Sequence, residues 1–125
     1  MAETNEQVLR DFLEKWRNRD AEGMANTFAE DGVYENVPEG KPMVGRAAIR
    51  EWLDGVFGNL SRIEVEIRRI ASDGEWVLSE RIDDHIAGDK HMPLPVMNVS
   101  RVVDGRLVLF RDYYDQDMVR ALGML

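Results

Sequence analysis

Three short segments of this 125-residue chain carry side chains that can move protons. Tyr34 and Asn36 stand in V-Y-E-N, Arg81 and Asp83 in E-R-I-D-D-H, and Asp112 in F-R-D-Y-Y-D. In each of the first two segments the residues are two apart. On an extended strand that spacing sends both side chains to one face. For Arg81 and Asp83 the ordinary reading is a solvated surface ion pair, because long charged side chains are seldom buried. The sharper reading is a buried acid held by a cation, its proton affinity set by desolvation and charge. Each remaining residue also has a plain explanation. Tyr34 fits a core position with its hydroxyl at the rim. Asn36 suits the turn that follows it. Asp112 can be a surface charge or the partner of Arg111.

The elements that must position these groups are legible from periodicity. Val8, Leu9, Phe12, Leu13 and Trp16 recur at helical spacing and predict a first helix over 5–19, with Thr4 or Asn5 as its cap. A second short helix starts at Asp20, with Met24, Thr27 and Phe28 inward, and ends at Asp31-Gly32. Residues 33–36 read as a strand and 38–45 as a loop. Ile49, Trp52, Leu53 and Val56 form the stripe of a third helix over 46–57. After Asn59 the period changes to two, beginning with Ile63, Val65 and Ile67. Turn signals at Ser72-Asp73-Gly74 and Asp104-Gly105 separate the later strands, one of which spans 94–103. Helices followed by hairpins imply an α+β fold with a curved, mostly antiparallel sheet. With helices on its open side, such a sheet makes a cone with a pocket at its mouth.

The first hairpin turn decides which face Arg81 and Asp83 occupy. A two-residue loop, Asp73-Gly74, sets Val65 opposite Ile82 and leaves the charged pair on the polar face. A three-residue loop, Ser72-Asp73-Gly74, sets Val65 opposite Arg81 and Ile63 opposite Asp83, on an apolar wall. Gly74 suits the left-handed residue that closes a three-residue loop, which favours the inward reading. A slip of one residue reverses it.

Composition narrows the function classes. The formal net charge of −8 argues against nucleic acid and anionic membranes as partners. The absence of cysteine excludes disulfides, thiolate nucleophiles and Cys-based zinc sites. No stretch approaches the ~20 apolar residues of a membrane span, and M-A-E-T-N-E-Q has no apolar signal core. One catalytic domain over 1–125 in the cytoplasm is the expectation.

Taken together, Y-E-N at 34–36, E-R-I-D at 80–83 and F-R-D-Y-Y-D at 110–115 resemble the limonene-1,2-epoxide hydrolase family. Its pattern is a Tyr-x-Asn, an Arg-x-Asp and a later Asp on three strands, and all five positions match in order. The resemblance runs from the first helix to the last strand. It implies a sheet closed by helices, as in scytalone dehydratase and ketosteroid isomerase, and a homodimer. It also implies that Asp112 is the base, that Tyr34 and Asn36 hold water with it, that Asp83 is the acid and that Arg81 bridges the two aspartates. Such a site needs no nucleophile, metal or organic cofactor. Its substrates would be water and a small apolar epoxide, cyclic like limonene oxide, opened to a vicinal diol in one step.

Two other readings compete on the same fold: a ketosteroid-isomerase-like or cyclase-like enzyme, and a non-catalytic binding module. Isomerisation needs a base and an oxyanion donor and has no particular use for an Arg between two acids. His85 and His91 lie six residues apart near Asp84 and Asp89; exposed histidines in a tight loop are expected there rather than a metal site. Asp112, Asp115 and Asp117 lack calcium-loop spacing, and Asp115 or Asp117 should cap a last helix over 118–122. Met43, Met92, Met97 and Met118 are expected mostly as core filler.

Overall fold

The computed structural model describes residues 3–122. Helix α1 spans Asn5–Arg17 and buries Val8, Leu9, Phe12, Leu13 and Trp16, the stripe its periodicity predicts. The Thr4 side chain accepts the Gln7 backbone N–H and satisfies one of the four free amides of the first turn. The helix stops two residues short of Arg19, which adopts a left-handed φ of 54° and reverses the chain. Asp20 then caps α2 (Ala21–Thr27) by accepting the Gly23 N–H. Helix α3 (Arg46–Gly58) buries Ile49, Leu53 and Val56, and α4 spans Gln116–Leu122. Asp115 Oδ1 accepts the Asp117 N–H at 2.9 Å, so the expected aspartate cap forms.

Six strands make one mixed sheet, in the order β2 (Met43–Val44), β1 (Phe28–Asn36), β6 (Arg106–Tyr113), β5 (Lys90–Val103), β4 (Trp76–Ala87) and β3 (Arg62–Asp73). Only β1 and β6 run parallel; every other neighbouring pair is antiparallel. The helix-first, hairpin-later order thus folds as an α+β structure. Its core lies between the inner face of the sheet and the helices. There Phe12 meets Phe28 and Phe110 at centroid distances of 5.5 and 4.8 Å, and Tyr34 meets Phe110 at 4.9 Å. No helix among the described residues is long and apolar enough to cross a membrane.

Several expected boundaries move. β1 starts at Phe28, so Asp31-Gly32 does not end a helix; it lies inside the strand, where the pairing with β6 shifts register. Gly32 is required by close approach: a Cβ there would sit 2.8 Å from the Leu107 carbonyl oxygen and from the Phe28 ring. The expected loop over 38–45 holds a 3-10 turn at Val37–Glu39 and the short strand β2. β5 begins at Lys90, not Leu94. Met92 is buried and Met43 half-buried, but Met97 and Met118 are 49% and 37% exposed, so these two are not core filler.

The β3–β4 register corrects both turn alternatives. Asp73 pairs with Trp76, which leaves Gly74 and Glu75 as the loop, with Gly74 at a left-handed φ of 61°. Continued unbroken, that register would set Val65 opposite Asp84 and turn the Arg81 face outward. A bulge between Ile67 and Arg69 removes one step. Val65 therefore sits opposite Asp83, Ile67 opposite Arg81 and Ile63 opposite His85. One extra residue restores the parity, because side-chain direction in a strand alternates with period two. Arg81 and Asp83 point inward, as the three-residue turn would have had them, with partners two positions away from those it implied.

Candidate active site

The five sequence-predicted residues reach the interior from three strands. Tyr34 and Asn36 lie on β1, Arg81 and Asp83 on β4, and Asp112 on β6; all five are at most 5% exposed. β1 and β6 are parallel neighbours with Asn36 opposite Asp112 and Tyr34 opposite Phe110. β5 lies between β6 and β4 and spaces Asp112 from Asp83. Arg81 spans that gap. Its Nε donates to Asp83 Oδ1 at 2.9 Å, while Nη1 and Nη2 donate to Asp112 Oδ1 and Oδ2 at 3.1 and 2.9 Å. The planar guanidinium thus binds one aspartate as a fork and the other through its remaining edge, a geometry that Lys cannot copy. Arg81 Cζ lies over the Phe110 ring, 5.6 Å from its centroid, in a cation–π contact.

Sequence reasoning missed four further participants. Asn98 on β5 is fully buried and donates from Nδ2 to Asp112 Oδ1 at 2.7 Å. Ser100 holds the Asn98 amide by donating to its Oδ1. Trp16 on α1 donates from Nε1 to Asp83 Oδ2 at 3.2 Å, so both oxygens of that carboxyl have a donor. His85, expected exposed in a loop, is instead buried in β4; its Nδ1 faces the carbonyl oxygens of Asp83 and Met92. His91 is exposed as expected, but it lies on β5, where it contacts Asp84. The alternation Leu94, Val96, Asn98, Ser100 carries the same signal as Arg81 and Asp83: polar residues on an otherwise apolar strand face.

These groups border a cavity of about 320 Å³. Asp83, Asp112, Tyr34, Asn36 and His85 line its buried end; Trp52, Val56, Leu94 and Val96 supply apolar wall; exposed Glu39, Glu51 and Asn59 stand at the mouth. Arg81 lies behind the aspartates. Val65 is half-buried and Glu64 exposed, as the inward reading requires. Burial raises the Asp112 pKa above the ordinary carboxylate value; Arg81 and Asn98 oppose the shift, and the nearby Asp83 charge reinforces it. Burial also raises the Tyr34 phenol well above its usual value, with Asp112 adding to the effect. For Arg81 burial works the other way, but the two aspartates outweigh it and hold the guanidinium proton more tightly than usual. Asn36 Nδ2 is enclosed and has no hydrogen-bond partner among the described residues. The arrangement can therefore offer a strengthened base and a second carboxyl, both held by a cation that cannot lose its charge.

Residues 3–123 match the family model of the limonene-1,2-epoxide hydrolase catalytic domain. Over 114 residues the chain is 38% identical to epoxide hydrolase EphG of Mycobacterium tuberculosis, which covers 89% of this chain and 74% of that protein. A solved structure of an M. tuberculosis LEH-like epoxide hydrolase superimposes with a TM-score of 0.81 at 34% identity, over 94% of this chain and 88% of the other. A Catenulispora acidiphila protein of ketosteroid isomerase-like fold gives a TM-score of 0.86 at 21% identity over 98% and 96% of the two chains, a likeness of fold alone. With a family match across nearly its whole length, the chain belongs to the limonene-1,2-epoxide hydrolase family.

Proposed function

We propose that this protein is a cofactor-independent epoxide hydrolase that opens a small, largely apolar, cyclic epoxide of the limonene oxide kind by direct attack of water. Family membership and the related epoxide hydrolases support epoxide hydrolysis. The observation that carries the mechanism is the fully buried Arg81 bonded to both Asp83 and Asp112 at the inner end of the cavity. Tyr34, Asn36 and Asp112 hold the water. Asp112 takes one of its protons as the water oxygen bonds to a ring carbon; the raised proton affinity of Asp112 makes it the stronger base for that task. The carbon–oxygen bond of the ring breaks, and Asp83 gives its proton to the leaving oxygen. The product is a vicinal diol, with the proton now on Asp112 and the negative charge on Asp83. Arg81 faces a single carboxylate charge before and after the step, so little charge has to reorganise around it.

Trp16 fits the same scheme. Its indole N–H points at the Asp83 oxygen that Arg81 leaves free, and that bond strengthens as Asp83 becomes a carboxylate. An isomerase or cyclase reading gives Arg81 no comparable work. The exposed apolar residues Leu78, Met97 and Tyr113 on the outer face of the sheet fit a homodimer, which light scattering of the purified protein tests directly. The activity is tested by product analysis over a panel of cyclic epoxides without added metal or cofactor. Vicinal diol should form, and Asp83→Asn should lose turnover while keeping its fold. An Asp83→Asn variant as active as the parent overturns the role of Asp83, and a panel left untouched by the parent overturns the hydrolase reading.

A further inference from the structure

His85 is a buried titratable side chain that the proton transfers above leave unused. It stands two residues beyond Asp83 on the inner face of β4 and is 4% exposed. Its Nδ1 faces two carbonyl oxygens, Asp83 at 3.2 Å and Met92 at 3.4 Å. A carbonyl oxygen only accepts, so Nδ1 carries the hydrogen, and in the neutral ring Nε2 is left as an acceptor. Nε2 has no hydrogen-bond partner among the described residues, yet it is not among the enclosed unpaired atoms, as Asn36 Nδ2 is. The ring lines the cavity, so its free nitrogen borders that space. Around it the wall is apolar: the Trp16 ring stands edge-on at 6.0 Å, Met92 lies opposite His85 on β5, and Leu94, opposite Asp83, lines the same cavity.

We propose that His85 Nε2 selects epoxides bearing a neutral hydrogen-bond donor, a hydroxyl in the simplest case, away from the oxirane. The proposal rests on the hydrolase reading above and specifies its substrate class. Two residues along a strand span about 6.7 Å, which sets the approximate distance from the acid at Asp83 to this acceptor. An alkyl group pressed on Nε2 strips its water and leaves the acceptor unmade, whereas a hydroxyl restores the bond. Leaving a buried acceptor unpaired costs roughly tenfold to a hundredfold in affinity. The cavity mouth carries Glu39 and Glu51, which disfavour an anionic substituent and leave the neutral hydroxyl as the matching group.

The test uses two cyclohexene oxides that differ only on the ring carbon across from the oxirane, one with a hydroxymethyl group and one with an ethyl group. For the parent, kcat/KM should favour the hydroxymethyl epoxide by about tenfold or more. His85→Leu should bring that ratio to one or below, and His85→Gln, which can offer an amide oxygen, should keep part of it. The parent ratio needs no variant, so a poorly folding His85→Leu does not blunt the experiment. Equal kcat/KM for both epoxides, or a preference that survives in His85→Leu, overturns the role of His85 and leaves the hydrolase intact. Hydrolysis of neither epoxide overturns both.

Discussion

β4 carries ion pairs on both faces, one residue apart in sequence. On the outer face Glu80 meets Arg69 of β3, whose side chain is 80% exposed. On the inner face Arg81 meets Asp83 and Asp112 with side-chain exposures of 2%, 3% and 6%. The residue types are the same and the consequences differ. Water screens the outer pair, and exposed pairs of this kind contribute about 0–1 kcal/mol. Inside, each ion forgoes several kcal/mol of solvation, which only its partners offset. The outer pair is therefore dispensable. The inner triad is interdependent, and within it burial raises the proton affinity of Asp112.

That contrast is broken most severely at its centre. Arg81→Met should destabilise the fold by about 3–5 kcal/mol in urea unfolding at neutral pH, because two buried acids lose the cation they share. It should also abolish hydrolysis. Arg69→Met, the matching change outside, should move stability by no more than about 0.5 kcal/mol. Comparable losses from the two variants would erase the distinction between the faces.

The next effect separates acid from bystander. Asp83→Asn keeps the shape of the side chain and should lower kcat by about 10²–10⁴-fold. Glu80→Gln, three residues away on the opposite face, should leave kcat within about twofold. Trp16→Phe keeps an aromatic ring and removes the N–H that reaches Asp83. It should lower kcat by about tenfold with KM nearly unchanged, since the bond matters most as charge develops. A rise in KM at constant kcat would assign Trp16 to packing alone.

The smallest effect concerns stability against pH. The folded-state pKa of Asp112 is raised, chiefly by burial. A carboxyl raised on folding binds its proton more tightly in the folded state. Its contribution is therefore fully present below the unfolded value, near 3.8, and is lost as pH rises through the folded value. Urea midpoints should show the parent losing stability relative to Asp112→Asn across that window and no further change above it. The exposed Asp54, paired to Arg50 along α3, should give no such trend when changed to Asn.

The parts of the molecule differ in how much the sequence discloses. The helices were legible because five apolar residues at helical spacing define α1 without reference to anything distant. The inward turn of Arg81 was reached through a register that the protein does not use. A turn signal such as Ser72-Asp73-Gly74 does not reveal the bulge between Ile67 and Arg69, and only the bulge sets the face. Asp31-Gly32 misled in the opposite direction, since a dipeptide typical of turns sits within β1 to admit the Leu107 carbonyl. The five matched residues were found because they break an alternation or complete a pattern. Asn98 and Ser100 break an alternation too and deserved the same reading. Trp16 was hidden by its own success as a core residue: nothing in a helical stripe shows that its N–H finds a carboxylate 67 positions away. His85 was misplaced because it was read as exposed beside a loop, whereas it shares the inner face of β4 with Arg81 and Asp83.

The direct-attack mechanism makes its sharpest prediction about the first turnover. Enzyme in excess over a cyclic epoxide, mixed in heavy-oxygen water, should yield diol carrying one heavy oxygen from the first turnover, because the attacking atom comes from solvent. An attacking aspartate would instead deliver one of its own ordinary oxygens first, through an ester that a separate base must hydrolyse. Unlabelled diol from that first turnover, with heavy oxygen later found in Asp83 or Asp112, would contradict the assignment of Asp112 as a base acting on water.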